Sequence, residues 1–374
     1  MQQHHDTHLH VPSILGDVAP TLSGTVRQAT RKYWVDVLRA VTITLVVLRH
    51  SDNHWLTSYL STMRIPMFFF LSGVLVNRQV LTGRVWDLTK KYIGRIAVPY
   101  FVFGIATYLL WYAVNLLSPG EGFIQHGPLH PLIGIVYGVS GLDNWLCHNP
   151  PLWFLTCLFV VHHLFFLLIR VFRSPVRSFA ASIIVGYIGS MFLRSLPYRL
   201  PWNFEIAMIA LVFYSMGYVT QIYDLAEVLA DSLTAAIVFL VALAGCLIAG
   251  WFNGPIDMNM GVVGTPALLY LGGLSGGVIC IILAMRAPRL QLIILLAQNS
   301  LVILVLHITV LQGMMRVGIL TLGNTFVTTV PDTWAYSLSV TIITIAVCLL
   351  VSRPLRRYLP WTIGMYEPAR AASP

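Results

Sequence analysis

Apolar stretches long enough to cross a bilayer recur from one end of the chain to the other, separated by short connections rich in Arg, Lys, Pro and Gly. A spanning helix needs about 20 mostly apolar residues. Ten segments meet that demand, at roughly 34–52, 62–78, 95–117, 151–171, 177–194, 202–221, 233–252, 262–285, 290–316 and 334–352. Residues 128–140 are also apolar but short and interrupted by Gly and Pro, which predicts a re-entrant or interfacial segment rather than an eleventh span. The ~10-residue alternating segments of a transmembrane β-barrel are absent. The pattern predicts an all-α, polytopic integral membrane protein of about ten transmembrane helices. Residues 33–352 form the membrane domain, between polar tails at 1–32 and 353–374.

Loop charges orient the helices. With the N-terminus in the cytoplasm, Arg27, Arg31, Lys32, Arg78, Arg84, Lys90, Lys91, Arg95, Arg170, Arg173, Arg177, Arg286, Arg289, Arg353, Arg356, Arg357 and Arg370 all fall on the cytoplasmic side, as the positive-inside rule demands. An eleventh span would destroy this asymmetry, so both termini are expected inside. The connection at about 118–150 is the longest external one and carries no Lys or Arg.

Composition agrees with a membrane domain: 57% of the 374 residues are hydrophobic and 10% charged, against about 25% charged in soluble domains. The net charge of +9 would suit nucleic acid, but its confinement to one set of loops assigns it to lipid headgroups, with no nucleic-acid partner. The first 32 residues lack an apolar core, so no cleavable signal peptide is expected and the first span serves as signal anchor. His4, His5, His8 and His10 read as a solvated tail rather than a metal site. Four of the five cysteines lie inside apolar segments, without CxxC spacing, so neither a disulfide framework nor zinc is expected.

One predicted span is unusually polar. Residues 33–50, YWVDVLRAVTITLVVLRH, contain Asp36, Arg39, Arg49 and His50. Arg39 and His50 are eleven residues apart, three turns plus about 20°, so they share a helix face about 16 Å apart along the axis. Asp36 lies one turn before Arg39 on that face and can pair with it. Ionisable residues at membrane depth are costly and face a bundle interior or a water-filled cavity, although snorkelling of Arg39 and capping by His50 would also accommodate them.

At this point the pattern resembles the membrane acyltransferase-3 family. Arg39, ten residues, then His50 matches its R-x10-H signature. RIPMFFFLSGVL (64–75), the basic segment KKYIGRIAVPY (90–100), PPLWFL (150–155), LPWNFEIAMIALVFYSMGY (200–218) and AQNSLVILVLH (297–307) resemble later family motifs in the same order, the last two those of the sugar O-acetylase branch. The basic segment reads Lys91-x-x-x-Arg95, where some members are richer in Arg. The resemblance implies transfer of an acyl group, usually acetyl from acetyl-CoA, to a hydroxyl of a lipid-linked or polymeric glycan, in the bacterial inner membrane. A mannose of a xanthan-type repeat is the narrowest form of that expectation.

Such a reaction needs a base, an oxyanion partner and anchors for the donor. His50 is the expected base, acting directly or as a covalent acyl relay. Arg39 is expected to bind the donor's phosphates or thioester arm through its planar guanidinium, with Lys91 and Arg95 holding the nucleotide unless they are only membrane anchors. Arg64 is expected at the oxyanion or sugar, and Ser72 as a hydroxyl or a helix-packing residue. Trp153 would stack on a sugar face or belong to the interface, and Glu205 would bind a sugar hydroxyl or pair with Arg194 or Arg199. His307 would line the active cavity or pack within its helix. No metal is expected. A secondary transporter or glycan flippase using the same polar stripe is the competing class, and an acyltransferase for a small lipid or antibiotic a third.

Overall fold

Apolar runs become helices close to where the periodicity predicts them. The computed structural model describes residues 20–51, 60–117, 119–141, 143–322 and 334–365, with backbone alone for 20–32, 121–122 and 319–322. The histidine-rich stretch His4–His10 and the end of the C-terminal tail with Arg370 lie outside the described residues. The helices are α1 (Pro20–Ser51), α2 (Ser61–Val74) and α3 (Val85–Leu117), then a short α4 (Leu129–Tyr137). After these come α5 (Trp153–Phe172), α6 (Pro175–Ser195), α7 (Phe204–Ile222), α8 (Ser232–Asn253) and α9 (Pro266–Arg286). The chain closes with α10 (Gln291–Gln298), α11 (Ser300–Leu322) and α12 (Trp334–Tyr358).

Local chemistry sets several of these boundaries. α6 begins at Ser174, whose hydroxyl accepts from the Arg177 amide, with Pro175 in the first turn, where its missing N–H costs nothing. Asp231 caps α8 by accepting from the Thr234 amide at 2.7 Å. Arg173 ends α5 in the left-handed region, its amide donating to the Ile169 carbonyl.

Among the described residues, eight helical stretches are long and apolar enough to span a membrane. The other two predicted spans are α1 and α2. α1 misses the criterion because of its ionisable residues, and α2 because only 14 of its residues are helical. α4, at nine residues, rises only about 14 Å and cannot span. It exposes Leu129, Leu132, Ile133 and Val136 along one face, while the Tyr100 hydroxyl holds its other side by donating to the Ile135 carbonyl at 2.7 Å. An interfacial helix is what that apolar stripe predicts.

α7 forms the centre, buried without a break from Glu205 to Ser215 and packed by α2, α5 and α6. A helix apolar on every side must be surrounded by others or by lipid. Its approach to α2 is reciprocal: a Cβ on Gly73 would strike the Tyr214 carbonyl, and one on Gly217 the Phe70 carbonyl. In a bilayer, where helices gain no hydrophobic energy by associating, this backbone contact supplies the packing.

Three features depart from the predicted spans. α3 contains a π-helical turn at Ile93–Ala97. The predicted span 290–316 is broken at Asn299, whose Nδ2 donates to the Leu295 carbonyl at 2.7 Å. α12 continues to Tyr358 because Arg356 reaches back to that break, its Nε donating to Asn299 Oδ1 at 2.9 Å.

Gly217→Val is expected to destabilise the protein by about 3 kcal/mol or more, because the opposing atom is backbone and cannot repack. Gly277→Ala, whose nearest neighbour would be Met67 Cε at 4.0 Å, is the matched control. Thermal unfolding in detergent should separate them. The segment before α5 carries a second test: loss of water pulls the buried His148 imidazole down to about 4. Its neutral form is therefore favoured by the fold. That stabilisation is complete above its ordinary pKa of about 6.5 and shrinks as pH falls towards 4, by up to about 3 kcal/mol. His148→Gln should flatten the acid limb of the melting-temperature profile.

Candidate active site

The polar stripe of α1 meets different partners at its two ends. At the basic end, Arg39 is half-buried with Asp36 as its acidic neighbour. It lines a groove of ≈ 300 Å³ together with Ser72 and Phe68 of α2, Arg95 of α3, Phe154 of α5, Gln298 of α10 and Ser300 of α11. Towards the other end of the stripe, Ile43 and Val46, between Arg39 and His50 in the helix, are buried.

The local turns explain which cations reach the groove. The π-helical turn holds an extra residue in one turn of α3, and Arg95 and Ile96 within it line the groove. Lys91 does not line it; its ammonium lies over the Tyr92 ring, 5.8 Å from the centroid. The break at Asn299 turns Gln298 and Ser300 into the groove wall, and the Arg356 guanidinium holds the Gln298 carbonyl from behind.

At the far end, the imidazoles of His50 and His307 lie 5.1 Å apart, tilted by 48°. His50 is exposed, whereas His307 is fully buried. His307 Nδ1 is 3.0 Å from the Ile303 carbonyl and 2.9 Å from the Leu304 carbonyl. Among the described residues, Arg49, Arg64 and His307 are charged or titratable groups that act on His50, and Arg64 in turn feels Asp257. The end of α1 is tied to α12: Ser337 donates to the Ser51 carbonyl at 2.9 Å, and the Ser51 and Thr341 hydroxyls lie 2.8 Å apart. The top of α2 is tied in turn by Ser61, which accepts from the Ile256 amide at 2.8 Å.

The remaining predicted residues stand apart from this pair. Glu205 takes the ion-pair alternative: Oε1 accepts from Arg199 Nε, and Oε2 from the Leu200 amide at 3.2 Å. Arg199 also donates to the Asn259 carbonyl at 2.8 Å, so the pair staples two connections of the far end. Arg194 instead donates to the Gly264 carbonyl at 2.6 Å. Trp153 is buried against Phe154. Ser72 donates to the Phe68 carbonyl at 2.8 Å, a back-bond within its own helix, while Gly73 makes the helix contact.

Sequence reasoning overlooked Gln298, Ser300, Asp257 and the clamp at Asn299. The polar run Gln298-Asn299-Ser300 inside an otherwise apolar segment was the available signal. Among the described residues no three His, Cys, Asp or Glu side chains gather as metal ligands.

Comparison with family models gives a match over residues 32–353 to the acyltransferase-3 model, described as an acyltransferase domain. The chain belongs to the acyltransferase-3 family. No curated protein and no solved structure matched it. The matched region takes in the Arg39 groove and the His50–His307 pair together. The protein is therefore a multi-pass membrane acyltransferase.

The Glu205–Arg199 pair yields a prediction independent of catalysis. Glu205→Gln leaves a guanidinium unpaired in a site that is 13% exposed on the Arg199 side chain, and is expected to cost about 3 kcal/mol. The double variant Arg199→Met/Glu205→Leu should cost less than the sum of the single changes by about 1 kcal/mol or more, read from a double-mutant cycle of unfolding midpoints.

Proposed function

We propose that the acyltransferase moves an acetyl group from cytoplasmic acetyl-CoA to a hydroxyl of a glycan, a repeat unit of an exopolysaccharide or surface polysaccharide, in the bacterial inner membrane with both termini cytoplasmic. The observation that carries this reading is the division of α1: a groove with two guanidiniums at one end of its stripe, and an exposed imidazole at the other. The groove suits the donor. Arg39 and Arg95 offer planar, permanently charged forks for phosphate oxygens, and the apolar wall between them suits a thioester arm. Lys91 stands outside the groove as a basic anchor at the membrane surface.

His50 is the base. It removes the proton of the acceptor hydroxyl as the oxygen attacks the thioester carbonyl, or first takes the acyl group itself. Arg64, nearly buried beside it, is charged and close enough to offset the oxyanion that develops, the kind of preorganised charge that is worth most where water is scarce. Removal of the product thiolate's charge by the imidazolium completes the exchange. Ser72 borders the donor path, Trp153 supports its wall from behind Phe154, and Glu205 shapes the acceptor side through the connections it staples.

His50→Ala should lower kcat by roughly 10²–10⁴-fold without changing the unfolding midpoint. Arg39→Ala should raise KM for acetyl-CoA more than it lowers kcat. Both are read as acetyl-CoA-dependent thiol release by the full chain in nanodiscs, with envelope glycan as acceptor. NMR of the host glycan supplies the product: its O-acetyl signals should vanish on gene deletion and return with wild type only. Uptake or flipping of glycan by a His50→Ala variant that never supported acetyl transfer would overturn the reading in favour of a transporter.

A further inference from the structure

His307 is fully buried, one turn along α11 from the groove residue Leu304, and its hydrogen bonds fix which nitrogen carries the proton. Nδ1 faces two carbonyl oxygens, those of Ile303 and Leu304, at 3.0 and 2.9 Å. A carbonyl oxygen only accepts, so Nδ1 must be the donor and bears the hydrogen. In a neutral imidazole the other nitrogen is then an acceptor. That nitrogen, Nε2, is buried and has no hydrogen-bond partner among the described residues. A bare acceptor away from water is costly and calls for a donor.

The nearest candidate is His50, whose ring centroid is 5.1 Å away. At that separation a turn of the His50 ring about its Cβ–Cγ bond, with His307 held by its Nδ1 bonds, brings one of its nitrogens towards Nε2 of His307. The other charged groups facing His50 among the described residues are the guanidiniums of Arg49 and Arg64. They also donate, but they remain charged and cannot exchange their proton at working pH.

We infer that His307 is a positioning residue for His50: with its own proton locked on Nδ1, its Nε2 accepts one N–H of His50 and thereby leaves the other His50 nitrogen unprotonated towards the acceptor hydroxyl. The inference rests on His50 being the base. In the transfer, that free nitrogen takes the hydroxyl proton while the C–O bond forms and the C–S bond of the thioester breaks. The imidazolium keeps its second N–H on His307 and returns the newly gained proton to the departing thiolate. His307 gains and loses nothing. It selects the tautomer and ring angle of its neighbour, as the buried acid does in a Ser-His-Asp arrangement.

The test uses the full chain in nanodiscs with acetyl-CoA and envelope glycan. His307→Phe removes the acceptor and should lower kcat roughly ten- to a hundredfold with KM for acetyl-CoA unchanged. His307→Gln, which retains an acceptor oxygen near the Nε2 position, should recover most of the loss. If His307→Gln is as impaired as His307→Phe at an unchanged unfolding midpoint, or if His307→Phe keeps full kcat, the inference is overturned. If His50→Ala itself leaves transfer intact, it is instead the acyl-transfer reading that falls. Should His307→Phe fail to fold, ¹⁵N-histidine NMR of the wild-type protein decides: a single His50 tautomer with a hydrogen-bonded N–H supports the pairing, and an averaged mixture overturns it.

Discussion

Charge inside an apolar slab is the constraint on which the arrangement depends. A guanidinium or imidazolium facing lipid costs several kcal/mol, so α1 can carry Asp36, Arg39, Arg49 and His50 only if other helices screen them. α1 accordingly packs against α2, α9, α10, α11 and α12. That requirement also fixes its rotation, since Ile43, Val46 and Val47 must be buried by the same neighbours. The polarity that makes α1 a poor spanning segment by composition is thus what makes it an interior one.

The protein separates rigidity from chemistry along the same lines. The glycine contacts between α2 and α7 and the unbroken burial of α7 give a tightly packed half. Under the acetyl-transfer reading the reacting groups lie at the seam between α1 and α11, which is tied at its ends. At one end Arg356 grips the Asn299 break, and the Tyr33 hydroxyl donates to the Pro288 carbonyl. At the other, the Ser51, Ser337 and Thr341 hydroxyls join α1 to α12. Between these ties the contact is side chain on side chain, which can shift without breaking backbone hydrogen bonds.

Hydropathy made nearly all helices legible, because length and apolarity are local properties. The R-x10-H spacing was legible for the same reason: eleven residues of helix determine their own geometry. What the sequence left open depended on rotation between helices or on a local distortion. Nothing local distinguishes a π-helical turn at 93–97 from an α-helical one, yet that turn separates Arg95 in the groove from Lys91 outside it. Glu205 had two arginines in range, and only the fold of the connection around Asn259 selects Arg199 over Arg194. The facing of His307 onto His50 joins segments more than 250 residues apart, as their numbers show, and no periodicity within either helix encodes it.

The buried stripe between groove and imidazole pair bears on how a donor and an acceptor meet. Arg39 and His50 are about 16 Å apart along the helix, with the buried Ile43 and Val46 on the face between them. Under the acetyl-transfer reading, a donor whose charged end is held at Arg39 must reach His50 with its thioester, so a long flexible arm is the donor form that suits the distance. Inserting it means displacing Ile43 and Val46 towards α2 or α11. α2 is fixed to α7 by backbone contact through Gly73 and Gly217, where even one added methyl group finds no room. Between Asn299 and His307, α11 is held among the described residues by side-chain packing and by the Asn149 amide, which donates to the Val305 carbonyl at 2.8 Å. Under that reading, a shift of α11 away from α1 at the level of Leu304 would make room for the arm. Such a shift would carry His307 with the Ile303 and Leu304 carbonyls that hold its Nδ1, and so would alter its distance from His50 without releasing its proton.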